Sequence, residues 1–371
     1  MSANSSASET SLSDQVVAWL QERMPRGWEI EGAGQGAEAA DLPADARITL
    51  RGPNGSLSTI VVEEKQVVSP RTVLSELSPR MQSARNLGAH LPLLVVTPWL
   101  SRRAQALLAD EDISYVDLTG NALLRIDNPP FYFQTAGAER NPWPKERGRA
   151  QLRGAKAARL IRLLIDIRPP YGLQEIAEAT GLAPGYVSRL LDTLNREALI
   201  ERAPRGPVES VDIVALLRRW ATSYDVFQAN DGQGFIAIEG LERLLARAAA
   251  DPAIGTRNTI TGSFAAGRIA PVASPALLLV YSDVPALFAT DLGLLPADEG
   301  ADVMLLRPFD PVVFDRNQTD GGLRYAAPSQ IAVDCLTGNG RMPAEGEALL
   351  DWMLDNEGAW RLDSLRALYA R

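Results

Sequence analysis

Cysteine and histidine are almost missing from this chain: its 371 residues hold one of each, Cys335 and His90. A single cysteine excludes an internal disulfide and a cysteine-rich zinc site, and it fits a reducing compartment. A single histidine excludes a multi-histidine metal centre and leaves little room for a Ser-His-Asp triad. His90 stands between a polar helix and an apolar strand, where a structural role is expected. No apolar run approaches the ~20 residues of a membrane span. Residues 1–13 are Ser-rich and lack a basic-then-apolar pattern, which predicts a disordered tail and not a signal peptide. Positive charge is short as well, with 37 Lys and Arg against 46 Asp and Glu, for a net charge of −9. That balance excludes indiscriminate nucleic-acid binding. These features predict a cytoplasmic protein of two to four domains with no membrane partner, and the Ala-, Arg- and Leu-rich composition points to a GC-rich bacterial genome.

The positive charge that is present is concentrated. Residues 140–219 carry 15 Lys and Arg against 9 Asp and Glu, a local balance of +6. A basic middle in an acidic chain suits a phosphate-binding face, because neutralising phosphates releases counterions. Within it, residues 171–202 read as two short helices meeting at Gly181, where a positive φ lets the chain turn. Ile176 and Ala177 face inward from the first helix. Val187, Leu190, Leu191 and Leu194 recur at helical spacing in the second and predict its buried stripe. Pro184 sits just inside that helix, where its missing N–H costs nothing. Tyr186, Ser188, Arg189, Asp192 and Arg196 are left for its outer face. Residues 198–202, a tip at Arg205-Gly206-Pro207 and residues 208–211 read as a β-wing.

A helix-turn-helix aims its second helix at the DNA major groove, so double-stranded DNA is the expected partner. Arg189 and Arg196 are the candidates for base edges, where a two-bond arginine–guanine contact discriminates by ~1–3 kcal/mol. Arg202 and Arg205 on the wing, and Arg147, Arg149, Arg153 and Lys156 leading into the preceding helix, are candidates for phosphates. Arg159 and Arg162 read as solvated surface. One recognition helix reads too few base pairs for genomic specificity, which predicts a homodimer. Residues 153–212 resemble the winged helix-turn-helix regulators of the multiple-antibiotic-resistance (MarR) and iron-dependent-repressor types.

Residues 14–140 alternate strands and helices, with a hairpin at Pro53-Asn54-Gly55. Glu63-Glu64-Lys65 closes a strand, and with the run Ile113–Asn121 it resembles the restriction-endonuclease-like (PD-(D/E)XK) fold. In active members of that family two carboxylates hold Mg²⁺ and the lysine orients water. The resemblance gives Glu63 and Lys65 those roles, while the upstream acid has only Asp45 as a candidate. Three readings stay open here: a Mg²⁺-dependent nuclease targeted by the winged helix, a degenerate nuclease fold kept for binding or dimerisation, and an unrelated α/β domain. Pro129, Pro130, Pro142 and Pro144 mark residues 127–148 as a stiff connection.

Residues 231–371 read as a further α/β domain. Gly262-Ser263 before a helix resembles the nucleotidyltransferase pair that cradles phosphate, but only Asp283 stands where two spaced carboxylates are required. The run Arg324–Leu336, with Pro328-Ser329-Gln330, resembles the C-terminal region of AbiEi-type antitoxins, which implies a cognate toxin as an alternative partner. The expected fold is thus α/β multidomain: a restriction-endonuclease-like domain over 14–140, a winged helix-turn-helix over 141–230, and an AbiEi-like, degenerate nucleotidyltransferase-like α/β domain over 231–371. The expected function is a sequence-specific DNA-binding regulator without enzymatic activity. No cofactor is expected, Mg²⁺ entering only with the nuclease reading.

Overall fold

The structure is a computed structural model that describes residues 11–34, 44–86, 92–143, 152–255 and 258–368. His90, Arg147, Arg149 and residues 1–10 of the expected tail lie outside the described residues. The chain forms two compact units, residues 1–148 with 196–198 and residues 149–195 with 199–371.

The first unit is a sheet whose strands bury both faces. It opens with α1 (Leu12–Gln21), capped by the Ser11 hydroxyl, which accepts the Asp14 N–H at 3.0 Å. A helix therefore starts inside the segment expected to be a tail. The strands β1 (Glu29–Gly34), β2 (Ala46–Arg51) and β3 (Leu57–Glu64) form an antiparallel meander. After β3 come α2 (Pro70–Thr72), a π-type turn at Val73–Leu77 and α3 (Ser78–Asn86). They return the chain to β4 (Leu93–Thr97), parallel to β3 and buried along its length. Next, α4 (Arg102–Asp110) leads to β5 (Ser114–Asp117), parallel to β4. Finally β6 (Ala122–Ile126) and β7 (Phe131–Thr135) complete the sheet antiparallel, in the order β1 to β7. Residues 131–135, expected to belong to a connection, thus form its edge strand.

Successive side chains on a strand point to opposite faces. Ile60, Val62, Leu94 and Val96 accordingly meet Val16 and Leu20 of α1 in one core. Val61 and Val95 meet Leu77, Leu100 and Leu108 in the other.

The second unit begins with α5 (Gly154–Asp166), α6 (Leu173–Thr180) and α7 (Pro184–Arg196). A two-stranded wing follows, β8 (Ile200–Arg202) and β9 (Val208–Val211), then α8 (Ile213–Ala221) and the short α9 (Val226–Ala229). The rest alternates through β10 (Asp231–Ile236), α10 (Leu241–Ala250), α11 (Pro252–Gly255), β11 (Asn258–Thr261) and α12 (Gly262–Ile269). Then come β12 (Leu278–Ser282), α13 (Pro285–Asp291), β13 (Leu295–Pro296) and β14 (Val303–Arg307). A 3₁₀ turn at Pro311–Phe314 precedes β15 (Gln318–Asp320), β16 (Leu323–Tyr325), α14 (Pro328–Leu336) and α15 (Met342–Asp355). The strands assemble as β13-β10-β14-β12-β11-β16-β15, a mixed sheet.

One apolar core runs from Leu152 to Leu365 through both the helical and the sheet regions. The boundary expected at residue 230 falls inside that core. No helix among the described residues is long and apolar enough to cross a membrane.

Candidate nucleic-acid interface

The turn between α6 and α7 follows from a single residue. Gly181 closes α6 with φ 66°, a left-handed conformation that costs other residues a Cβ clash. At the other end of α6, Glu175 reaches back to accept the Gly172 N–H at 2.6 Å. Pro184 opens α7, and the stripe Val187, Leu190, Leu191 and Leu194 is buried as its spacing predicts.

Of the residues expected on the outer face of α7, Arg189, Asp192 and Arg196 are exposed, and Tyr186 and Ser188 are half-buried. Arg189 folds back to donate from Nε to the Gly185 carbonyl at 3.2 Å. Burial raises the Tyr186 phenol above its ordinary range, and the Arg189 charge partly opposes the shift. Arg153 and Lys156 lie exposed at the start of α5. At the wing, Tyr171 adds a second short pairing, exchanging main-chain hydrogen bonds with Val208 at 3.0 and 3.4 Å. Arg205 sits exposed at the tip with φ 60°.

Arg202 departs from the expected picture. Its side chain is only 6% exposed, and it lies under the wing 3.9 Å from Asp192 of α7. Its Nη1 is buried without a hydrogen-bond partner. The reason is alternation: Ile200 and Arg202 occupy the inward positions of β8 while Glu201 faces out. Asn195 of α7 fixes this register by accepting the Arg202 main-chain N–H at 3.3 Å. Arg202 therefore belongs to the packing between wing and helix, and the Arg202 guanidinium is not presented to phosphate.

Residues 155–204 match the IclR helix-turn-helix domain. The match spans α5, α6, α7 and the first wing strand, and it identifies a DNA-binding helix-turn-helix of the IclR type. No characterised protein and no solved structure shows a significant match to the chain. The match falls on the segment that the sequence likened to the MarR and iron-dependent-repressor types, and it supports the coarser reading of a winged helix-turn-helix.

Arg159 and Arg162, read from sequence as solvated, instead bolt this unit to the C-terminal region. Arg159 donates to Asp310 from Nε at 3.0 Å and Nη2 at 2.8 Å. Arg162 is buried and donates to Asp166 one turn on, at 3.0 and 3.1 Å. It also reaches Gln330 Oε1 at 2.9 Å and the carbonyls of Val312 and Asp315. Asp166 receives the Ser329 hydroxyl as well. The Pro328-Ser329-Gln330 run thus acts as the fastening of α14 to α5. Gln330 continues the network by donating to Asp334 at 2.9 Å, which the hydroxyls of Thr261, Tyr224 and Tyr281 also reach. Burial raises the Asp334 carboxyl from the ordinary 3.8 to about 6, these donors holding it down.

The candidate residues of the first unit are engaged structurally. Glu63 is buried and paired through one oxygen with Lys65 at 3.4 Å and through the other with Arg80. Asp45 accepts the Glu64 main-chain N–H at 2.8 Å. Among the described residues no group of three or more His, Cys, Asp or Glu could hold a metal ion. Asp117, within the Ile113–Asn121 run, is a buried hub that accepts the N–H groups of Leu100, Thr119 and Asn121. Gly262 has φ 64°, and a Cβ there would meet Leu279 at 2.8 Å, a close-packing requirement. Ser263 donates to Glu345, and Asp283 stands exposed.

Proposed function

We propose that the chain is a sequence-specific regulator of transcription that binds double-stranded DNA through α7 and the wing. The observation that carries this reading is the division of labour on α7. Its apolar stripe is consumed by the core, while Arg189 and Arg196 stand exposed on a helix framed by a wing whose tip presents Arg205. The IclR-type match over residues 155–204 supports it. In this reading α7 lies in the major groove with Arg189 and Arg196 toward base edges, while Arg205, Arg153 and Lys156 neutralise phosphates. The protein acts as a homodimer in the cytoplasm, because one helix reads only a half-site.

The test is fluorescence anisotropy on the DNA upstream of its own coding sequence against a scrambled competitor. Arg189→Ala and Arg196→Ala are each expected to cost ~1–3 kcal/mol and to narrow the gap between specific and scrambled DNA. Affinity unchanged in the double variant would rule the reading out.

A further inference from the structure

The second unit contains a pocket of about 530 Å³ between α5, α6 and the 3₁₀ turn. That volume lies in the range that holds small organic ligands. Its apolar lining comes from Leu163 of α5, Ile167 just after it, Ala179 of α6, and Leu362 and Leu368. The same lining holds three arginines and three aspartates, a balanced count that a ligand would not meet as balanced.

Each arginine already has a carboxylate or carbonyl partner. Arg159 is bound two-pronged to Asp310, and Arg162 is buried in its bonds to Asp166, Gln330 and two carbonyls. Arg316 donates to the carbonyls of Asp166 and Trp360. The Asp315 carboxylate is different: among the described residues, no hydrogen bond or ion pair reaches it. The residue is exposed and lines the pocket. Partial burial in the recess raises it above the ordinary carboxylate range, Arg162 and Arg159 opposing the shift and Asp166 and Asp310 adding to it. A neutral ligand would cover this charge without pairing it, at a desolvation cost. An anion would meet it with like charge.

We propose that this pocket is a binding site for an organic cation, an ammonium or amidinium group on an apolar body. Asp315 pairs with the charge, and Leu163, Ile167 and Leu362 take the hydrocarbon. The site goes beyond the DNA-binding reading and holds whether or not α7 binds DNA.

The experiment is isothermal titration of the full chain, without DNA, with n-hexylammonium, hexan-1-ol and hexanoate as matched probes. Saturable binding of hexylammonium is expected, with the alcohol and the carboxylate at least about tenfold weaker. Asp315→Asn, at an open and unpartnered side chain, is expected to fold normally and to weaken hexylammonium by about tenfold or more while leaving hexanol unchanged. Filling the apolar lining with Ala179→Trp is expected to weaken hexylammonium and hexanol together. The proposal is overturned by hexylammonium binding weaker than about 10 mM, by equal binding of the alcohol or the carboxylate, or by an Asp315→Asn chain that binds hexylammonium as the wild type does. DNA affinity is measured separately without amine, so the failure of one reading leaves the other untouched.

Discussion

Two arginines three residues apart, Arg202 and Arg205, show how much the next neighbour decides. Arg205 is exposed at the wing tip, whereas Arg202 is turned under the wing by strand alternation. An arginine facing DNA and an arginine filling a seam respond oppositely to loss of charge. Arg205→Ala should weaken specific and scrambled DNA alike and reduce the magnitude of the salt slope by about 1. Arg202→Met keeps the stem that packs beneath the wing and removes a desolvated Nη1. Its stability in urea should equal the wild type's or exceed it by up to about 1 kcal/mol, with DNA affinity changed less than about twofold. If Arg202→Met loses as much DNA affinity as Arg205→Ala, the guanidinium must swing out on binding and the seam assignment is wrong.

At the scale of elements, the stability of the second unit depends on how α14 is fastened to α5. Arg162 and Asp166 are both almost fully buried, so removing one leaves the other charged and without its partner. Arg162→Met is expected to destabilise this unit by ~3–5 kcal/mol in urea unfolding, and Arg162→Met with Asp166→Leu to recover much of that loss. A double variant no more stable than the single one would mean that the carbonyls of Val312 and Asp315 depend on the guanidinium more than Asp166 does. The neighbouring Asp334 adds a pH dependence. Its carboxyl is raised in the folded protein, so the fold holds its proton more tightly than the unfolded chain does. The stability this supplies is fully present below 3.8 and is lost as pH rises through about 6. Subtracting the urea stability of Asp334→Asn from that of wild type should give a difference that falls across this window. A flat difference would show that Thr261, Tyr224, Gln330 and Tyr281 hold the carboxylate ionised throughout.

The same elements show what was legible in the sequence. The helix pair was, because a 3.6-residue stripe and a turn glycine are local signals that tertiary packing left intact. Strands β4 and β12 are legible as short apolar runs. β10 is not, because Asp231, Gly232 and Gly234 are residues typical of turns, yet Gly234 is needed because a Cβ there would sit 2.5 Å from the Ala297 carbonyl. The roles of Arg159 and Arg162 were hidden for a different reason. Their partners Asp310 and Gln330 lie about 150 and 170 residues away in sequence, and no local pattern encodes that separation. The i,i+4 spacing of Arg162 and Asp166 was the one available hint.

For the whole molecule, the separation of the cores carries the remaining prediction. The cores of the first unit draw on residues between 12 and 133, and the core of the second on residues between 152 and 368, with no residue in common. Each unit therefore buries its own apolar surface, which is the thermodynamic requirement for folding as a separate cooperative element. α7 as far as Asn195, the wing and the mixed sheet all lie on the second side of that division. A fragment of residues 149–371 should then unfold in one cooperative transition and keep the preference for upstream over scrambled DNA, while the full chain shows two transitions by calorimetry. If the first unit supplies the dimer contact, the fragment will still read one half-site but lose cooperative occupancy of two, visible as a shallower binding isotherm. A fragment that folds and yet no longer distinguishes the two DNAs would move specificity away from α7 and into the first unit. The +6 balance over residues 140–219 within a chain of net charge −9 argues for the former outcome, because cutting away the first unit leaves most of the basic segment in place.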